Sequence, residues 1–281
     1  MIPNIVHFVF GLAPDFGGKP FSLVHYLAIR SAQVVNRPDQ IIFHYRYEPE
    51  GEWWEKIRPS LTLNRIEIPT EIFGNELIHI AHKSDVVNLR ALSECGGIYL
   101  DIDTICVRPY HHLLNHQAVM GLEYGRPVFY EKRDEWVYDV KKKLLSPFVK
   151  LPAPGIKGLG SSIILSAPGS SFITLWLDSY KTFRSKGLFD AYWNEHSVRK
   201  PYQLAQENPQ LIKVLGQGSF CLPYYDRKGL KLLFEKVYQF PEAIVYHLWE
   251  SLSWDRYLAP LTTERIRKID TTYNLLARKY L

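Results

Sequence analysis

Apolar and polar positions along the first hundred residues alternate between two periods. Ile5-Val6-His7-Phe8-Val9-Phe10 is a short apolar run closed by Gly11, and a Gly- and Pro-rich stretch follows to Pro20. Phe21 to Val35 carries Leu23, Leu27, Ala28 and Val34 at helical spacing, and Gln40 to Tyr47 alternates as a strand. Trp53 to Ile57 fits a short helix, and Leu61 to Ile68 is a third strand ended by Pro69. Ile78 to Cys95 reads as a helix stopped by Gly96-Gly97, a left-handed stop signal, before a buried strand Ile98-Tyr99-Leu100. Strand and helix in turn predict an α/β fold, a mostly parallel central sheet with helices on both faces.

After Asp103 the pattern loosens. Thr104 to Val107, Ala118 to Leu122, Ser161 to Ala167 and Leu211 to Leu215 read as strands, and Phe172 to Phe183 and Tyr202 to Glu207 as helices. Segments 124–160 and 216–245 look irregular and rich in Pro, Gly and Tyr, the kind of long loop that grips substrates. Lys141-Lys142-Lys143 reads as a solvated helix face. No repeat, low-complexity tract or linker divides the chain.

The 281 residues suffice for one full core, 46% being hydrophobic and 22% charged, as in ordinary soluble proteins. Aromatics at 14% supply faces for sugar rings or bases, although most will be core. A net charge of +5 suits an anionic small substrate or peripheral contact with a membrane surface, and falls short of a nucleic-acid footprint. There is no signal-peptide pattern and no apolar run of about 18 residues. Cys95, Cys106 and Cys221 lack metal-ligand spacing, so reduced thiols in a cytoplasmic setting are expected. A catalytic piece of a membrane-anchored parent fits the same features.

Candidate chemistry gathers at Asp101-Ile102-Asp103. In extended backbone the two carboxylates share a face while Ile102 turns into the core. Like charges held so close suit a hard divalent cation, Mn²⁺ or Mg²⁺, whose remaining coordination positions take water and phosphate oxygens. In the preceding helix Asp85, Leu89 and Leu92 form one stripe. Asp85 therefore either points over the strand ends toward a sugar or ribose hydroxyl or, with Ser84, caps the helix.

Ala81-His82-Lys83-Ser84-Asp85 followed by Gly96-Gly97-Ile98-Tyr99-Leu100-Asp101-Ile102-Asp103 resembles the core of the DXD-motif nucleotide-sugar glycosyltransferases. That group includes α-1,4-galactosyltransferases, initiating α-1,6-mannosyltransferases, capsule-type sugar transferases and, more remotely, large glucosylating toxins. Ile2 to Phe8 resembles the family's opening strand and Val245 to Ser251 its C-terminal His/Trp segment. The resemblance implies a GT-A fold in one catalytic domain over 1–281, with a nucleotide-sugar-binding half (1–110) and an acceptor-binding half with a closing segment (111–281). It also implies Mn²⁺ (or Mg²⁺), a UDP- or GDP-sugar donor, a glycan or other hydroxyl acceptor, and retention of anomeric configuration.

On that resemblance Asp103 and Asp101 are the catalytic pair. Asp103 is the direct metal ligand, Asp101 holds a ribose or sugar hydroxyl and adds to the metal's charge environment, and His247 is a further ligand. Phe8, Val9 and Phe10 border the donor; Phe10 stacks on the base and Val9 reads its edge, with core packing the alternative. Trp249 and Trp254 close over the diphosphate, indole N–H donating, or pack the tail. His247 is otherwise a core histidine. One departure stands out: the family's usual Arg three residues after Asp85 is Asn88 here. Arg90 lies roughly 140° round the helix from Asp85 and does not replace it.

Glu123, Glu131 and Asp226 are the carboxylates free to reach such a site as a covalent nucleophile. Two rival readings remain. A haloacid-dehalogenase-like phosphatase would use Asp101 as nucleophile, but a late acidic pair for its metal is missing. An inactive, transferase-like carbohydrate-binding protein would bind sugars without metal-dependent nucleotide release.

Overall fold

The computed structural model describes residues 1–125, 130, 132–145, 155–187 and 190–281. Strands β1 (Ile5–Val9), β2 (Gln40–Tyr45) and β3 (Thr62–Arg65) alternate with helices α1 (Leu23–Asn36) and α2 (Glu52–Ile57). A two-residue hairpin, β4 (Glu71–Ile72) with β5 (Asn75–Glu76), leads into α3 (Ile80–Cys95). Then come β6 (Gly97–Leu100), β7 (Thr104–Cys106), β8 (Ala118–Tyr124), α4 (Lys132–Leu145), β9 (Ile156–Ser166), α5 (Ser171–Ser179), β10 (Lys213–Leu215) and β11 (Val245–His247).

Among the described residues, seven strands form one sheet in the order β10-β8-β9-β6-β1-β2-β3. Four of its six pairings are parallel; β9 runs antiparallel between β6 and β8. The expected α/β architecture is therefore observed, and strands from both halves of the chain share the sheet. Two apolar clusters cover its faces, one around Phe8, Phe43, Leu100 and Phe220, the other around Leu89, Tyr99, Met120 and Trp176. A third, around Leu27, Leu248 and Tyr273, packs the C-terminal segment on α1. Among the described residues no helix is long and apolar enough to cross a membrane.

The Gly96-Gly97 stop works through two positive φ angles, +65° and +118°, although the ψ of Gly96 (−171°) is extended rather than left-handed helical. A Cβ on Gly97 would sit 2.5 Å from the Ile5 carbonyl oxygen, so the strand carrying the acidic pair lies too close to β1 for any side chain there. The Gly96 carbonyl accepts from His7 Nε2 at 2.8 Å. That fixes His7 Nδ1 as acceptor for His44 Nε2 (3.0 Å), and His44 Nδ1 as acceptor for the Asn64 amide (2.9 Å). Two neutral histidines thus link β3, β2, β1 and the turn before β6.

The 124–160 and 216–245 segments are less irregular than expected. They contain α4, the long first half of β9, and short helices at Gln217–Phe220 and Arg227–Phe234. Lys141, Lys142 and Lys143 are exposed on α4, as read from sequence.

Candidate active site

Asp101 and Asp103 do not lie in extended backbone. β6 ends at Leu100, and Asp101-Ile102-Asp103 forms the turn into β7, pinned by Asp101 N–H to the Ser162 carbonyl (2.8 Å) and by Thr104 Oγ1 to the Asp101 carbonyl (2.8 Å). Ile102 is half-buried against the core. The carboxylates still converge, because a third residue joins them. β11 pairs antiparallel with β7, placing His247 opposite Thr104 and its Nε2 3.3 Å from Asp103 Oδ1 and 3.8 Å from Asp101 Oδ2. One ligand atom from each of Asp101, Asp103 and His247 lies within 4.8 Å of the others. His247 Nδ1 is buried with no hydrogen-bond partner among the described residues.

The electrostatics of the cluster are lopsided. Burial and the neighbouring Asp103 charge push Asp101 up to about 7. Burial alone would raise Asp103 too, but His247 and the Glu250 backbone N–H (2.6 Å to Oδ2) outweigh it and hold Asp103 below its ordinary range. Burial lowers His247, and the two carboxylates more than offset this, leaving it raised. Two carboxylates and an imidazole so grouped are a donor set able to hold a divalent metal ion.

Tyr99 donates its hydroxyl to Asp101 Oδ1 at 2.6 Å. On α3, the N-cap is His79, whose side chain accepts from Ala81 N–H; Ser84 and Asp85 lie inside the helix, so the capping alternative is excluded. Burial, and then the Asp101 charge, push Asp85 up to about 8. Asn88 is buried, and its Oδ1 has no partner among the described residues.

The other sequence-predicted residues divide. Phe8 is fully enclosed in the core and Val9 nearly so. Phe10 is half-buried in an aromatic group with Phe16, Phe21 and His25, centroids 4.9 to 5.7 Å away. Trp249 packs 4.0 Å from the His247 ring, but its indole N–H is engaged by the Pro223 carbonyl at 2.6 Å. Its φ of +55° is strained backbone beside the cluster. Trp254 stacks on His25 at 6.0 Å. Among the spare carboxylates, Asp226 caps the helix at Arg227–Phe234 and accepts from Tyr130. Glu123 is buried and paired with Lys157 at 2.5 Å, and Glu131 lies outside the described residues.

Sequence reasoning missed Tyr99 and Glu250 as site residues. Glu250 brings its backbone N–H to Asp103, and its side chain takes His25 Nε2 (2.8 Å) and Lys19 Nζ (3.3 Å). Beside this group a cleft of about 630 Å³ opens at the ends of β2 and β3, lined by Phe16, Phe21, Tyr45, Arg46, Tyr47 and Arg65 among others.

A profile of the glycosyltransferase sugar-binding region containing the DXD motif matches residues 51–120. Glucan organizing enzyme 1 of Cryptococcus neoformans var. grubii serotype A is 37% identical over 287 aligned positions, which span 100% of this chain and 71% of that protein. The chain belongs to the DXD-motif glycosyltransferase family. Solved structures similar to this transferase include mouse xyloside xylosyltransferase 1 in apo form (12% identity, 90% of this chain and 99% of that one, TM-score 0.47). Another is the galactosyltransferase LgtC with donor and acceptor sugar analogues (11% identity, 98% and 96%, TM-score 0.43). The acidic pair at 101 and 103 falls inside the matched segment.

Proposed function

We propose that this glycosyltransferase is metal-dependent and moves a sugar from a UDP- or GDP-sugar to a glycan or other hydroxyl acceptor with retention of configuration. The reading is carried by the convergence of Asp101, Asp103 and His247 at the carboxyl end of β6. In open α/β sheets, ligands bind there. Polysaccharide biosynthesis is the proposed setting, supported by the name of the Cryptococcus relative.

In this reading residues 1–110 form the nucleotide-sugar half of a single catalytic domain and residues 111–281 the acceptor half and closing segment. The aromatic and Arg-lined cleft accepts the nucleoside. Asp103 and His247 hold the cation, Mn²⁺ or Mg²⁺, with Asp101 completing its charge environment. Bound there, it supplies Lewis acidity to the leaving diphosphate, worth several kcal/mol. Tyr99 orients Asp101 through its hydroxyl, and Glu250 N–H orients Asp103. Asp85 and Asn88 face the donor sugar from α3, where a carboxyl held near neutrality can donate or accept a hydrogen bond. The departing phosphate oxygen takes the acceptor hydroxyl proton on the same face.

A phosphatase using Asp101 as nucleophile is the less supported reading, because the Tyr99 hydroxyl occupies one of its oxygens and the chain matches the DXD glycosyltransferase family. The test is sugar transfer or slow donor hydrolysis across a panel of UDP- and GDP-sugars. Asp103→Ala should lower the rate by about a thousandfold, and EDTA should stop it until Mn²⁺ is restored. Asp103→Asn, which keeps an acceptor for Glu250 N–H, should do the same while its circular dichroism spectrum stays native. Full activity in either variant would remove the metal role.

A further inference from the structure

We propose that Lys19 is a diphosphate-binding residue that exchanges its contact with Glu250 for the phosphate oxygens when a nucleoside diphosphate binds. The proposal rests on the nucleotide-sugar reading above and adds a residue that neither the motif nor the resemblance marks.

Position is the first argument. Lys19 belongs to the loop between β1 and α1, and the next two residues, Pro20 and Phe21, line the cleft assigned to the nucleoside. Its Nζ lies 3.3 Å from Glu250 Oε2, while the backbone N–H of that same Glu250 lies 2.6 Å from Asp103 Oδ2. Lys19 thus adjoins residues that line the cleft and contacts a residue bonded to the acidic cluster, as a group reaching the diphosphate between them must.

Chemistry is the second. A nucleoside diphosphate brings more negative charge than one divalent cation offsets, and a Lys ammonium is a compact point charge that binds phosphate well. The Lys19 side chain keeps 25% of its surface exposed, so solvent and ligand can reach it. Glu250 keeps a second partner in His25 Nε2 (2.8 Å), so its carboxylate is not left unpaired when Lys19 moves to phosphate. Gly17 and Gly18, at φ +62° and +73°, form the hydrogen-bonded turn that sets the direction in which Lys19 leaves the loop.

The experiment is calorimetric titration of Mn²⁺-loaded protein with UDP and GDP, and with uridine and guanosine. For the diphosphate that wild type binds, Lys19→Met should weaken affinity about tenfold. Its affinity for the matching nucleoside and for Mn²⁺ alone should stay as in wild type. Lys19→Arg should remain within about threefold, since charge is kept. Glu250→Gln, which releases the lysine, should bind the diphosphate more tightly. Equal affinity in wild type and Lys19→Met overturns the proposal. So does equal weakening in Lys19→Met and Glu250→Gln, which would mark the pair as a structural clasp. A wild type that binds no nucleoside diphosphate overturns the nucleotide-sugar reading itself.

Discussion

Tyr99 and Glu250 decide how the acidic pair behaves, although neither is acidic chemistry of the motif. The Tyr99 hydroxyl holds Asp101 Oδ1 at 2.6 Å and the Glu250 N–H holds Asp103 Oδ2 at the same distance, leaving Asp101 Oδ2 and Asp103 Oδ1 turned toward His247. Orienting partners of this kind typically tune metal affinity by 10–100-fold. Tyr99→Phe should therefore lower Mn²⁺ affinity about tenfold by titration while the circular dichroism spectrum stays native; unchanged affinity would remove Tyr99 from the site. The acidic pair was legible because two carboxylates beside a Gly-Gly stop have few structural uses. Tyr99 was also within reach, since it precedes Asp101 by two positions and leaves a strand on the same face. Glu250 was not: its bond to Asp103 joins residues 147 apart, and only the folded chain brings them together.

β6 owes its place to close packing against β1 and to the histidine link. Gly97→Ala combines a strained φ of +118° with a Cβ 2.5 Å from the Ile5 oxygen and 2.9 Å from His7 Nε2. It should cost about 3 kcal/mol or more in urea unfolding. Gly17→Ala, also at positive φ but in open space, should cost about 1 kcal/mol. Equal losses would contradict the packing argument.

His44 is lowered from 6.5 to about 4, chiefly by burial and then by His7. As pH falls through about 6.5 the unfolded chain takes up a proton there and the native chain does not. The native state is thus fully favoured above that value and loses ground down to about 4, by about 2 kcal/mol between pH 6.5 and 5. Wild type should lose that much more stability than His44→Asn between pH 7 and 5; parallel losses would contradict the account. The long elements α1, α3, β1 and β2 were readable from periodicity, because each buries one continuous stripe. β3 proved shorter than read; the helix read at Tyr202 to Glu207 is present, but the short helices after residue 215 went unseen. Segments of four to eight residues held by tertiary contacts carry too few positions to show a period.

On the scale of the whole molecule, the site exists because the chain returns. β11 pairs with β7, and the segment after it packs on α1 through the cluster of Leu27, Leu248 and Tyr273. His247 is thereby carried to a turn that the first half of the chain builds, and Trp249 and Glu250 follow it. Local sequence shows the turn but not the return, which is why the His247 role came only from family resemblance. The most direct measurement is Mn²⁺ binding followed by electron paramagnetic resonance, with UDP or GDP added. One Mn²⁺ per chain should bind, its spectrum should change on nucleotide addition, and Asp103→Ala and His247→Ala should each abolish binding. Mn²⁺ bound equally by wild type and both variants, or a spectrum indifferent to nucleotide, would contradict a cation held by Asp101, Asp103 and His247.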